Sequence, residues 1–247
     1  MGRTVVIDRF AEQASAYVDG YAIVAVDVIR ATTTAVTAVA QGRRCFPVPS
    51  LDAARRLRAR LADALLAGEV DGRMPAGFTL NNSPATLAAR RDVSRPVILL
   101  SSSGTRLMHA ARQCEAAYVA CFRNAAAVAR HLARRHENIA VIGAGSRGEF
   151  RKEDQICCAW IAASLLDAGY EPRDRRTVTI VERWRDAPAR ACADGKSATY
   201  LRRSGQLRDL AFVLTHVDDL DAPCAVEGDE IVTLPAEREH GRAVGQG

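Results

Sequence analysis

Apolar runs of about six residues alternate along this chain with Ala, Leu and Arg segments whose apolar positions recur at helical spacing. Runs that short, bounded by polar turns, read as strands buried on both faces, and the segments between them read as the helices that cover those faces. The pattern predicts an α/β chain, layered α/β/α around a mixed or largely parallel sheet. It places strands at 21–26, 44–48, 96–100, 116–120, 138–142 and 177–181, with a short one at 230–234. Helices are expected over 32–41, 52–67, 104–113, 125–135, 153–168 and 206–214. Ser83 reads as the N-cap of a further short helix whose first residue is Pro84.

No Pro, Gly and Ser linker divides the chain and no fixed-period repeat is visible. Residues 1–235 are therefore expected to form one compact catalytic unit, with room for two lobes, followed by a polar, frayed tail at 236–247. The stretch 68–84 has no periodicity of its own, and a loop of that length inside a compact unit is commonly functional.

Composition removes several classes of function. The longest apolar run, at 21–29, contains Asp27 and is followed by Arg30, well short of the roughly 20 residues that a spanning helix needs. The first ten residues lack the order of a signal peptide, so the expected compartment is the cytoplasm. Seven cysteines without CxxC spacing read as reduced, buried thiols, not as a disulfide framework or a zinc site. The net charge is +5, yet all but two of the 34 basic residues are arginine. Arginines such as Arg55, Arg56, Arg58 and Arg60 sit at helical spacing on a solvated face. With only 5% aromatic residues to stack bases, neither nucleic acid nor a membrane is an expected partner. Self-association is left open.

Ligands in open α/β sheets bind beyond the carboxyl ends of the strands, so the polar residues that follow each apolar run are the candidates for chemistry. Asp27 follows the first long run, and Arg30, Thr32, Thr33 and Thr34 enter the helix after it. Asn81, Asn82 and Ser83 precede the short helix, and Ser101, Ser102, Ser103, Gly104, Thr105 and Arg106 open another. The segment from Gly143 to Phe150 carries Arg147 and leads into Glu153 and Asp154, and Glu182 ends the apolar run at 177–181.

Helix N-termini supply unpaired amides and a positive dipole end, which bind phosphate. Carboxylates beside them would repel a phosphate unless a hard divalent cation lay between, and Asp27, Glu153, Asp154 and Glu182 are the natural oxygen ligands for Mg²⁺. The combination suggests metal-assisted phosphoryl chemistry on a small anionic substrate. Adjacent on a helix, Glu153 and Asp154 should point about 100° apart, so one of them is expected to be the direct ligand.

Two rival readings stand beside this one. A non-enzymatic binder or sensor of small anions would use the same helix ends, although it has little use for the carboxylates. Gly143, Gly145 and Gly148 form a literal GxGxxG after a strand, but a charged helix start follows and no strand-terminal acid lies about 20 residues on, which weighs against a dinucleotide-binding oxidoreductase. No Cys is followed by Arg six positions later, and no DxDxT or Arg-His-Gly sequence occurs.

The run from Val26 to Thr34, the segment from Gly77 to Pro84, the turn ending Gly104-Thr105-Arg106, and Gly143 to Phe150 with Glu153-Asp154 and Cys158-Ala159 together resemble the successive motifs of the 2-phosphosulfolactate phosphatases, enzymes of coenzyme M biosynthesis. Ser197, Leu201, Gly205, Asp209-Leu210 and Pro223 follow in an order similar to that family's C-terminal segment. The resemblance covers about residues 21–225. It implies Mg²⁺-dependent hydrolysis of 2-phosphosulfolactate to sulfolactate and phosphate, in an α/β fold peculiar to the family. In that reading Asp27 and Asp154, with Glu153 and Glu182, hold the metal. Thr32, Thr33, Asn82, Ser83, Ser103 and Gly104 bind the substrate beside the catalytic Asp27, Arg30, Thr105 and Arg106, while Arg30, Arg106 and Arg147 neutralise its oxyanions. The family usually carries Asn before the Gly-Thr pair, where this chain has Ser103.

Overall fold

The computed structural model describes residues 2–236. The first half of the described chain runs β1 (Thr4–Arg9), β2 (Ala22–Val26), α1 (Ala31–Ala40), β3 (Cys45–Val48), α2 (Leu51–Arg60), β4 (Leu65–Gly68), α3 (Pro84–Ala88), β5 (Val97–Leu100), α4 (Gly104–Ala111) and β6 (Ala116–Ala120). It continues through α5 (Ala125–Leu132), β7 (Asn138–Gly143), α6 (Lys152–Asp167), β8 (Glu171–Pro172), α7 (Arg175–Trp184), α8 (Lys196–Arg203), α9 (Leu207–Thr215), β9 (Cys224–Glu227) and β10 (Glu230–Thr233). Two 3₁₀ turns, Ala11–Tyr17 and Ala189–Cys192, complete it.

Period-two burial builds the layers. In β1, Val5 and Ile7 face one core while Val6 faces the other; in β2, Ala22, Val24 and Val26 part from Ile23 and Ala25 in the same way. The first core is closed by α5, α6 and α7, and the second by α1, α3 and α4. A smaller core seats α2 on Val48, Ile98 and Leu100. The expected α/β/α layering is therefore what the chain adopts.

All ten described strands join one sheet in the order β4-β5-β3-β10-β9-β6-β2-β7-β1-β8. β4, β5 and β3 are parallel to one another, and so are β6, β2, β7, β1 and β8. The hairpin β9–β10 is antiparallel within itself and to both neighbours, β6 and β3. Three successive reversals make the two parallel blocks run in opposite senses along the ladder. The junction is thin, with Ile231 opposite Cys45 on one side and Tyr118 and Val119 opposite Ala225 and Cys224 on the other. Twist of about 20° per strand accumulates across it, and the carboxyl ends of β2 and β7 from one block meet those of β4 and β5 from the other around a single pocket.

Two expected elements differ in the structure. The helix expected over 52–67 stops at Arg60, and Leu65–Gly68 pairs in register with Val97–Leu100 as β4. Its Ala and Leu content suits a helix locally, but the edge of β5 offers backbone partners that outweigh propensity. The strand expected at 177–181 is the middle of α7, where the carboxylate of Asp174 caps the helix by accepting from the amide of Thr177, and Thr177 and Val181 share the buried face. The strand β1 was not foreseen at all. Most of the expected tail, from residue 237 on, lies outside the described residues.

Candidate active site

The pocket has a volume of about 570 Å³. Asp27 reaches it from the end of β2. Its Oδ1 accepts from the amide of Ala31 at 3.4 Å, and its Oδ2 lies against Gly104, where a Cβ would stand 2.3 Å from that oxygen. Glycine at the first position of α4 is what lets the helix approach the carboxylate. From the first turn of α6, Asp154 accepts from Val28 N at 2.9 Å and Gly145 N at 3.3 Å, tying the β2 and β7 loops together. Behind it Glu153 is buried, and its Oε2 has no hydrogen-bond partner. Both acids of the adjacent pair are thus turned inward: Asp154 lines the pocket and Glu153 is buried close to Ser197, a lining residue.

Burial is the main cause of high proton affinity in all three acids. It raises Asp27 to about 7, with the charges of Glu69 and Glu153 adding to it and the Ala31 amide and Arg30 opposing. Asp154 is held well above the usual carboxylate range by burial and then by Asp27 and Glu153, and Glu153 is raised by burial. Crowded carboxyls of this kind either hold protons or share a cation.

Arg30 lines the pocket, with Nη1 held by Asp209 Oδ2 at 2.6 Å and by Gln206 Oε1. Asp209, from α9, also accepts from Ser83 Oγ at 2.6 Å and from Ala85 N at 3.2 Å, so one buried carboxylate anchors Arg30, α3 and α9. Asn82 is buried on the pocket wall with an unpartnered Oδ1, and Ser103 and Arg147 complete the expected residues that line it.

Other expected site residues do different work. Thr32 Oγ1 accepts from Asp27 N at 3.0 Å, and Thr33 Oγ1 donates to Val28 O at 2.7 Å; both are buried and shape the loop that presents Asp27. Ser83 is the cap of α3. Thr105 is buried and closes the β5–α4 turn through reciprocal bonds with Ser101. Arg106 is exposed in the first turn of α4 and is not among the lining residues, and Glu182, expected as a metal ligand at a strand end, is exposed on α7 because that segment is helical.

The sequence reading missed a second set. Glu69, at the end of β4, accepts from Ser102 N, Ser102 Oγ and Gly72 N at 2.6–3.0 Å and adds its charge beside Asp27. Tyr200 on α8 donates to Gly72 O at 2.6 Å across the pocket mouth, and Glu149, Arg151 and Lys196 line the wall between β7 and α8. Glu69 lies in the 68–84 stretch that reads as a functional loop, but nothing in its spacing singles it out, and neither β4 nor α8 is legible in the sequence pattern. The glycines of the GxGxxG segment serve this wall. Gly143 leaves room for Phe150, whose ring would be 2.2 Å from a Cβ, and Gly145 and Gly148 take positive φ in a tight turn.

Together these features define an acid-lined, cation-rimmed pocket at the carboxyl ends of α/β strands, suited to a small anion and a divalent cation. A sequence profile of the 2-phosphosulpholactate phosphatases matches residues 8–222. The chain is 33% identical over 211 residues to a probable 2-phosphosulfolactate phosphatase of Deinococcus radiodurans, covering 83% of this chain and 88% of that one. It is 34% identical to the protein of the same name from Thermus thermophilus, over 77% of this chain and 81% of the other. A third, from Pseudothermotoga lettingae, is 38% identical over 58% of this chain, a match that spans 62% of the relative's length. The chain belongs to the 2-phosphosulfolactate phosphatase family of phosphoric monoester hydrolases.

Proposed function

We propose that this protein hydrolyses 2-phosphosulfolactate, or a closely related small phosphorylated acid, to the hydroxy acid and phosphate, with Mg²⁺ as cofactor. The observation that carries the reading is the convergence of Asp27 and Asp154 on one pocket that Arg30, Arg147, Arg151 and Lys196 also line. Membership of the family supplies the reaction class.

The residues suit Mg²⁺. Two buried acceptor oxygens, Asn82 Oδ1 and Glu153 Oε2, lack donors, and burial together with crowding of like charges makes Asp27 and Asp154 bind protons in place of a cation. Among the described residues no three His, Cys, Asp or Glu side chains form a closed cage. That agrees with an ion held by one or two carboxylates and otherwise by water and phosphate oxygens. Asp27 and Asp154 would hold it, and when bound it supplies charge neutralisation at the phosphoryl group. Glu182 plays no part in this arrangement.

The chain's own groups do the rest. Arg30, fixed by Asp209, presents positive charge without having to be ordered when substrate arrives. Ser103 and Asn82 offer a hydroxyl and an amide to the substrate's oxygens. Tyr200, resting on Gly72, narrows the mouth and limits water around the reacting group. Seven free thiols, most of them buried, suit a reducing compartment such as the cytoplasm.

The test is phosphate release from a panel of small phosphorylated carboxylic and sulfonic acids, 2-phosphosulfolactate included, with Mg²⁺ and again with EDTA. Metal-dependent release that ranks the doubly acidic substrates first is expected. Binding without release from any compound would overturn the reading in favour of an anion-binding protein.

A further inference from the structure

Residues 146–149 form a two-residue hairpin. Ser146 N donates to Glu149 O at 2.9 Å and Glu149 N to Ser146 O at 3.1 Å, with φ of 51° at Arg147 and 72° at Gly148. Positive φ at both central positions is the type I′ geometry, which fixes the residue that follows the turn. Phe150, seated on Gly143, pins the hairpin to the sheet. Glu149 is thereby held on the pocket wall with its two oxygens divided between cations from different elements. Oε2 accepts from Arg151 Nη1 at 2.8 Å, and Oε1 accepts from Lys196 Nζ at the start of α8.

These two cations are not ordinary surface charges. The side chain of Arg151 is only 13% exposed, yet its Nε is buried without a partner, so one of its donors is unused inside the protein. Lys196 lines the same pocket, while its counterpart Lys152 is paired elsewhere, with Asp194 at 2.6 Å. The charge balance also needs explaining. Asp27, Glu69, Asp71, Glu149 and Asp154 face the pocket beside Arg30, Arg147, Arg151 and Lys196, so each cation has an acid close by. A cation at Asp27 and Asp154 answers for the phosphate end only. The carboxylate and the sulfonate of the substrate need positive charge of their own; Arg147 also lines the pocket, but Arg151 and Lys196 are already neutralised by Glu149.

We propose that Arg151 and Lys196 form the subsite for one of the substrate's two non-phosphate acid groups, its carboxylate or its sulfonate, and that Glu149 is an internal stand-in for that group, displaced when substrate binds. The inference rests on the proposed function, which supplies a substrate acidic at both ends. A carboxylate and a sulfonate present the same kind of oxyanion to a guanidinium and an ammonium. Exchange is easy on the Lys196 side, because Glu149 and Lys196 are 45% and 71% exposed and a pair so wet is held weakly. Lys196 also holds the carboxyl of Glu149 below the usual range, so the residue leaves its partners as an anion and is not released by protonation. The device sets specificity: a phosphate ester with a neutral tail gains nothing at this subsite and cannot displace Glu149.

Lys196→Gln and Glu149→Gln test it, since both side chains are exposed enough for the variants to fold. Calorimetric titrations use 3-sulfolactate and inorganic phosphate as separate probes. Lys196→Gln is expected to weaken sulfolactate about fivefold and Glu149→Gln to tighten it about threefold, with phosphate affinity moving less than twofold in each. The kinetic counterpart is the ratio of kcat/KM for 2-phosphosulfolactate over that for p-nitrophenyl phosphate, which should fall in Lys196→Gln and rise in Glu149→Gln. Weaker sulfolactate binding by Glu149→Gln, equal shifts for both probes, or no sulfolactate binding by the wild type would each overturn the proposal. Failure of the proposed function reads differently: sulfolactate binds with these shifts, but no phosphorylated acid is hydrolysed.

Discussion

Replacing Asp209 by Ala removes the acceptor of three donors at once: Arg30 Nη1, Ser83 Oγ and Ala85 N. The side chains of Arg30 and Asp209 are each only 4% exposed. Deleting one partner of such a pair leaves an uncompensated buried charge, a loss of about 3–5 kcal/mol. For a chain of this size 1 kcal/mol corresponds to about 2–4 °C in Tm, so Asp209→Ala should unfold about 10 °C below the wild type. Asp209→Asn keeps the shape but cannot neutralise Arg30, and should lie between the two. Replacing the pair together, as Arg30→Met with Asp209→Leu, removes the stranded charge and should recover much of the lost stability. Thermal unfolding followed by circular dichroism reads these proteins together with the Arg30→Met and Asp209→Leu singles. A drop of less than 2 °C in Asp209→Ala, or a double variant whose loss equals the sum of the singles, would refute the idea that one buried carboxylate holds Arg30 and α3 in place.

Asp27 binds its proton more tightly folded, at about 7, than unfolded, near 3.8. The folded state therefore carries more protons between those values, and metal-free stability should fall as pH rises from about 4 to 7 and stay low above. Mg²⁺ should then raise Tm more at pH 8 than at pH 5, and Asp27→Asn should make the pH profile shallower, with Asp154 and Glu153 still contributing, while abolishing phosphate release; an equal Mg²⁺ shift at both pH values would count against this. Gly104→Ala places a methyl 2.3 Å from Asp27 Oδ2 and should cut kcat/KM by about 100-fold while the protein stays folded, as steady-state kinetics with circular dichroism would show. Glu182→Gln, at an exposed position on α7, should leave the Mg²⁺ dependence of turnover within twofold of wild type.

The central strands and their covering helices were legible because burial on both faces writes itself as short apolar runs, and Asp27 was legible because it ends one of them. What failed was the local signal where tertiary pairing decides. Leu65 to Gly68 look helical after an Ala and Arg helix, yet they complete the edge of β5, and without that strand Glu69 is one residue among many in a long loop. The β-branched run from Thr177 to Val181 looks like a strand, but Asp174 caps it as a helix, which carries Glu182 to the surface. Hydroxyls at helix starts were the hardest to assign. Thr32, Ser83 and Thr105 have the composition of a phosphate site, but all three satisfy neighbouring backbone or cap groups. Which hydroxyls remain for a ligand depends on contacts far away in sequence, such as Ser102 with Glu69.

The position of β9–β10 sets an order of events during synthesis. The hairpin occupies the middle of the sheet, between β3 and β6, but it follows every other strand along the chain. Until residues 224–233 leave the ribosome, the nascent chain holds two half-sheets, each with an open inner edge of unpaired amides and carbonyls. Such edges pair with whatever strand arrives first, including one from another nascent chain. A chain that stops near residue 222 would contain all the pocket-lining side chains and still lack the two strands that join the halves carrying them.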